Sequence, residues 1–186
     1  MPLIKTVLPF VMLLCCESIA FAQVSRPQKY DYEKYANDPC GDPRVESMMW
    51  EVVPGKVISV TDGSNILLSI KNNKRLLVHL VGIDAPTLDQ PFGRESQRFL
   101  QLMVLGKKVN ALVKPGNWSF KTPRPKEATG VVELQRSDAK DVNLSLVGAG
   151  LARHKDSEPY TMSRYTECQY EKAEEDARAA KRGLWH

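Results

Sequence analysis

The chain has 186 residues, enough for one domain with a tail. Hydrophobic content of 42% with 26% charged residues excludes a wholly disordered chain and a multi-span membrane protein. A formal net charge of +4 suits a polyanionic partner without demanding one.

At the N-terminus, Lys5 precedes an apolar run from Val7 to Cys16, and Ala20-Phe21-Ala22 follows as a small-x-small site. This layout predicts a signal peptide over 1–22, cleaved before Gln23, and hence a secreted or periplasmic protein. The run is shorter than the roughly 20 residues a bilayer-spanning helix needs, so no transmembrane anchor is expected after cleavage. An uncleaved anchor or a buried helix is the competing reading. Cleavage removes one base (Lys5) and one acid (Glu17), leaving the net charge as it was. It also removes Cys15 and Cys16, so Cys40 and Cys168 remain. In an oxidising compartment they are expected to pair, tying the extension to a late helix; two thiols are the alternative.

Residues 23–50 are polar, carry Pro27, Pro39 and Pro43, and read as an extension. Beyond Trp50 the pattern becomes regular. Val57 to Val60, Ile66 to Ile70 and Leu76 to Val81 are β-prone runs separated by Thr61-Asp62-Gly63-Ser64-Asn65 and Lys71-Asn72-Asn73-Lys74, which predicts a three-stranded meander. A helix over Arg94 to Leu105 follows, with Phe99, Leu100, Met103 and Val104 on one face and Gly106 as its stop. Val109, Ala111 and Val113 alternate as a fourth strand, and Val131 to Leu134 make a fifth. Val142 to Ala149 reads as a second helix with Asp141 as N-cap and Gly150 as terminator. A third runs from about Ser163 to Arg182. Five short strands with a helix between the third and fourth predict an α+β fold: a five-stranded, partly open OB-type barrel with three helices.

Several strings, in order, resemble the thermonuclease (staphylococcal-nuclease-like) family. Gly55 to Gly63 is similar to its opening strand and turn, and Val78 to Pro86 to its third strand and the acidic turn after it. Gln90 to Ser96 is similar to the entry to its first helix. Asp141 to Val147 with Gly150-Leu151-Ala152 resembles its second helix, and Ala177 to Trp185 its closing helix. The resemblance covers nearly all of residues 51–186 and implies hydrolysis of nucleic-acid phosphodiesters with one Ca²⁺.

That chemistry needs carboxylates converging on a hard cation, a general base for water, and two arginines that clamp the phosphate as it gains charge. Carried over residue by residue, the resemblance places a calcium-ligating carboxylate at Asp84 and the first acid of an Asp-Gly-Asp-Thr turn at Asp62. The second acid of that turn falls on Ser64, and its threonine on Asn65. The general-base glutamate falls on Thr87. The two arginine positions fall on His79 and Thr129, the latter aligned only through Gly130-Val131-Val132. Asp89 or Glu95 could serve as a displaced base, and Arg124 could reach in from its loop. Each group also has a structural explanation: Asp62 before Gly63 suits a tight turn, Asp84 before Ala85-Pro86 suits another, and His79 suits an ordinary strand. No cofactor is expected, with calcium the exception if the metal site is retained.

The loop Pro115 to Lys126 interleaves Trp118 and Phe120 with Lys121, Arg124 and Lys126, a composition suited to stacking on single-stranded nucleic acid and contacting its backbone. It equally suits a protein partner or aromatics folded onto the barrel. Acids and bases alternate along the last helix as on a solvated face. Three functions follow as expectations: a non-catalytic, monomeric exported domain that binds nucleic acid or an envelope protein; an active secreted nuclease with a rebuilt site; and a structural envelope domain.

Overall fold

The computed structural model describes residues 38–41, 50–114, 126–135, 140–156 and 162–186. The predicted signal segment, most of the extension, and Trp118, Lys121 and Arg124 of the basic-aromatic loop lie outside the described residues. Among the described residues no helix is long and apolar enough to cross a membrane.

The strands are β1 (Glu51–Val60), β2 (Asn65–Ser69), β3 (Arg75–Leu80), β4 (Ile83–Asp84), β5 (Lys108–Val113), β6 (Glu127–Leu134) and β7 (Arg153–His154). The helices are α1 (Gly93–Val104), α2 (Val142–Gly148) and α3 (Arg164–Ala179), with short 3-10 turns at Lys71–Asn73 and Gly183–Trp185. The three helices and five long strands match the expectation from sequence.

The barrel itself is closed, in the order β1-β2-β3-β6-β5, where a partly open one was expected. Closure comes from the length of β1. Glu51 to Lys56 pairs antiparallel with β5, and Lys56 to Val60 pairs with β2. The register slips between Val57 and Ser59, and such a bulge bends a strand so that it can serve two neighbours at a barrel corner. The first half of β1, ahead of the expected Val57–Val60 strand, contains Pro54 and Gly55. Pro54 is tolerated opposite Asn110 within this pairing.

Inward residues alternate as a half-buried strand requires. Leu76, Val78 and Leu80 of β3 are buried, as are Val109, Ala111 and Val113 of β5, while Leu77 and His79 face outward. Leu100 and Val104 of α1 are fully buried against this core, with Phe99 and Met103 partly buried beside it. Leu146 and Val147 of α2 and Tyr170 and Ala177 of α3 close the other side.

A polar network fastens the helices to the barrel. The fully buried Asn143 donates from Nδ2 to the carbonyls of Val81 (2.9 Å) and Gly130 (3.3 Å), and its Oδ1 accepts from the Val132 amide (3.2 Å). Asp141 caps α2, accepting from the Leu144 amide at 3.0 Å, and also takes the Tyr170 hydroxyl at 2.9 Å. Burial raises its carboxyl to about 6 despite those bonds. Cys40 and Cys168 form the expected disulfide, joining residues 38–41 to α3, where Tyr165 and Gln169 also donate to Asp38 (each 3.4 Å).

Candidate functional site

Two turns meet at one end of the barrel, and glycine is what lets them touch. A Cβ on Gly63, in the β1–β2 turn, would lie 2.2 Å from the Ser96 Oγ of α1 and 2.8 Å from the Ala85 Cβ just after β4. The Asp62 turn and the segment carrying Asp84 are therefore pressed together against α1. A second close approach sits at the foot of that helix. A Cβ on Gly93 would lie 1.8 Å from the Thr87 carbonyl oxygen, so only glycine allows the 84–90 segment to lie on the start of α1. Gln97 of α1 adds a bond from Nε2 to the Thr61 carbonyl at 2.8 Å.

Within the first turn, Asp62 is engaged by its neighbours. Its Oδ1 accepts from the Ser64 amide (2.8 Å), the Ser64 hydroxyl (3.1 Å) and the Asn65 Nδ2 (2.8 Å). Its Oδ2 accepts from the same Asn65 Nδ2 (2.8 Å) and from the Thr61 hydroxyl (3.3 Å). These bonds orient the Asn65 amide, leaving Oδ1 as its acceptor. Asn65 lies opposite His79 in the β2–β3 ladder, and His79 Nδ1 reaches that Oδ1 at 2.5 Å. Because the oxygen only accepts, the ring nitrogen is the donor and the tautomer follows. His79 Nε2 then faces Glu127 Oε2 at 3.6 Å.

His79 is also the register partner of Thr129 across the parallel β3–β6 pair. The two positions where the resemblance places phosphate-clamping arginines are thus adjacent on the outer face. They carry an imidazole beside a carboxylate, and an exposed hydroxyl.

Asp84 is different. It is exposed and accepts no hydrogen bond or ion pair from a described side chain. It lines a cleft of about 550 Å³ with Thr87, Gln90, Phe92, Arg153 and His186. Arg153 reaches this cleft because β7 pairs with β4 and sets it opposite Asp84. Its guanidinium lies 5.4 Å from the Trp185 ring, within cation–π range. His186 meets Phe92 edge-on at 5.1 Å.

Thr87 donates its hydroxyl to Asp89 at 2.6 Å, and its amide donates to Gln90 Oε1 at 2.8 Å. The Thr87 bond, with a backbone bond, holds the Asp89 carboxyl below its ordinary value and makes it a weaker base. Glu95 is exposed in the first turn of α1. Lys126 is exposed just before β6.

Residues 77–186, more than half of the chain, match the family described as staphylococcal nuclease homologue. The chain belongs to that family. It is 30% identical over 131 residues to an uncharacterized endonuclease of Haemophilus influenzae, covering 70% of this chain and 65% of that protein. It is 30% identical over 134 residues to an uncharacterized endonuclease of Escherichia coli O157:H7, covering 72% and 77%. A probable endonuclease of Phaeosphaeria nodorum is 29% identical over 136 residues, covering 69% of this chain and 43% of that one. The chain thus spans less than two thirds of the Phaeosphaeria and Haemophilus proteins.

The family's chemistry implies a Ca²⁺ ion held by six to eight oxygens. The donors present here do not fit it. Asp62 already accepts five contacts from Thr61, Ser64 and Asn65, and the Ser64 hydroxyl is turned inward as a donor to Asp62, so of the two acids at family positions only Asp84 is unengaged by described side chains. What the site can do without a metal is narrower: Asp84, Arg153 and His186 can bind a polar ligand in the cleft, and His79 can present one N–H or one lone pair.

Sequence reading missed Arg153 and His186. Their signals are a basic pair directly after Gly150-Leu151-Ala152 and the aromatic end of Gly183-Leu184-Trp185. Neither shows that a two-residue ribbon will carry Arg153 to Asp84.

Proposed function

We propose that this member of the staphylococcal nuclease family is an exported, non-hydrolytic domain that binds single-stranded nucleic acid, with a protein or envelope partner as the alternative ligand. The observation that carries this reading is the saturation of the Asp62 carboxylate by Ser64 and Asn65. These residues stand where the family pattern has a second acid and a threonine. They convert a turn that would present negative charge to a cation into one that satisfies itself. At the remaining positions, Thr87 supplies no base and His79 with Thr129 supplies no permanent positive charge. The basic-aromatic composition of Trp118, Lys121, Arg124 and Lys126 supports nucleic acid as the ligand.

One observation favours a second reading, an active nuclease with a rebuilt site: Asp84 is unengaged in a cleft that also holds Arg153, and the relatives bear the name endonuclease. The test incubates the protein with single-stranded DNA and RNA in Ca²⁺, Mg²⁺ or Mn²⁺. The non-hydrolytic reading expects no cleavage, and binding that weakens with salt and further on joint Lys121, Arg124 and Lys126 substitution. Metal-dependent cleavage abolished by Asp84→Ala would establish the second reading instead.

A further inference from the structure

Beside Arg153 in β7, His154 points to the other face of the ribbon, where a group of ligating side chains plays no part in the proposed function. His154, Asp156 and Glu171 each bring one candidate ligand atom to within 4.8 Å of the other two. Asp156 lies two residues beyond the end of β7, and Glu171 lies in α3. Neither carboxylate has a hydrogen bond or ion pair to a described residue, so among the described residues the two acids stand close together with no cation paired to either.

The histidine is pre-oriented. Its side chain is only 7% exposed, and Nε2 lies 2.8 Å from Glu167 Oε2. A carboxylate only accepts, so Nε2 carries the hydrogen and the neutral ring leaves its lone pair on Nδ1. That Nδ1 makes no hydrogen bond to any described residue. The ring is steadied by the edge of Tyr170 at 6.1 Å, and the His154 amide by Glu174 Oε1 at 3.0 Å. A carboxylate behind a histidine whose other nitrogen is unused is the usual second layer of a metal-bound imidazole, fixing its tautomer and raising its basicity.

The geometry points to a divalent metal site of the zinc class, formed by His154 Nδ1 and the carboxylates of Asp156 and Glu171, with solvent completing the shell. In a tetrahedral shell, ligands at about 2.0–2.2 Å from Zn²⁺ stand roughly 3.3–3.6 Å apart, so side-chain movements of about 1–1.5 Å would close the 4.8 Å cluster onto an ion. One imidazole nitrogen favours Zn²⁺ and its transition-metal neighbours over Ca²⁺ and Mg²⁺, which prefer all-oxygen sets. The site is separate from the Asp62–Asp84 end of the barrel and stands whether or not the nucleic-acid reading does. Its effect would be mechanical: the metal would clip the residues after β7 to α3, next to the Tyr170–Asp141 contact.

The test uses the full chain stripped with chelator, titrated with Zn²⁺ by calorimetry and followed by thermal shift, with Co²⁺ absorption as a spectroscopic check. One equivalent is expected, with a Kd in the micromolar range or below and a raised Tm. Because Asp156 and Glu171 are exposed, the double variant Asp156→Asn, Glu171→Gln keeps the fold while losing affinity at least about tenfold; Glu167→Gln loses a comparable factor by removing the negative charge behind the ring. Absence of saturable binding at about 100 μM Zn²⁺ would overturn the assignment. So would unchanged affinity in the double variant, or loss of binding in His79→Gln or His186→Gln instead.

Discussion

Replacing Asn143 with alanine tests how the barrel is joined to its helices. The amide is fully buried and makes three bonds, to the Val81 and Gly130 carbonyls and from the Val132 amide. In the variant the Gly130 carbonyl keeps the Val81 N–H at 3.0 Å, but the Val132 N–H and the Val81 carbonyl lose their side-chain partner. Each buried backbone group left without that partner costs about 1–3 kcal/mol, and the vacated amide volume adds a cavity term. The expected loss is about 3–5 kcal/mol, a large part of the 5–15 kcal/mol typical of a domain, with Tm falling by on the order of 10 °C. Urea unfolding followed by circular dichroism measures it. Asn143→Asp sharpens the test. It keeps the acceptor for Val132 but turns a carboxylate oxygen toward two carbonyls, so it should be at least as damaging near neutral pH and recover partly on acidification. A loss below about 1 kcal/mol in Asn143→Ala would show that water or backbone movement replaces the amide, and would refute the reasoning.

Two further outcomes follow from the same frame. The carboxyl of Asp141 sits at about 6 in the folded protein, above its ordinary 3.8, chiefly through burial. A raised value means that its contribution is fully present below about pH 4 and lost as pH rises through about 6, roughly 2–3 kcal/mol in all. Asp141→Asn keeps both the cap and the acceptor for Tyr170, so it should flatten that part of the stability–pH profile and raise stability near pH 7.5; an unchanged profile would contradict the assignment. Breaking the Cys40–Cys168 bridge, which spans 128 residues of sequence, should cost up to about 5 kcal/mol by loop-closure entropy, read as the denaturation midpoint of Cys40→Ser, Cys168→Ser against the oxidised parent.

Much of the scaffold was legible in the chain because its signals are local. Alternation marks β3 and β5, Asp141 and Gly150 bracket α2, and the order of family-like strings from Gly55 to Trp185 indicates the barrel. The bridge between Cys40 and Cys168 was legible because the expected cleavage after residue 22 would leave only those two cysteines. Features that depend on what a segment meets were not. The half of β1 before Val57, which closes the barrel and carries Pro54, was not assigned to a strand, because whether a proline fits a ladder depends on what it pairs with. The β4–β7 ribbon is two residues wide and has no periodicity, so Arg153 reaches Asp84 by pairing alone.

The site divides in the same way. Residue types at 62, 64, 65, 79, 87 and 129 are a matter of sequence, and with them the shortage of carboxylates and arginines. Whether Asp62 faces outward to a cation or inward to its own turn depends on where the Asn65 amide points. That amide is held from both ends, by the Asp62 carboxylate it donates to and by His79, fourteen residues away in the chain but directly across the β2–β3 ladder. Hydrogen bonds have direction, and direction across strands exists only once the strands are paired.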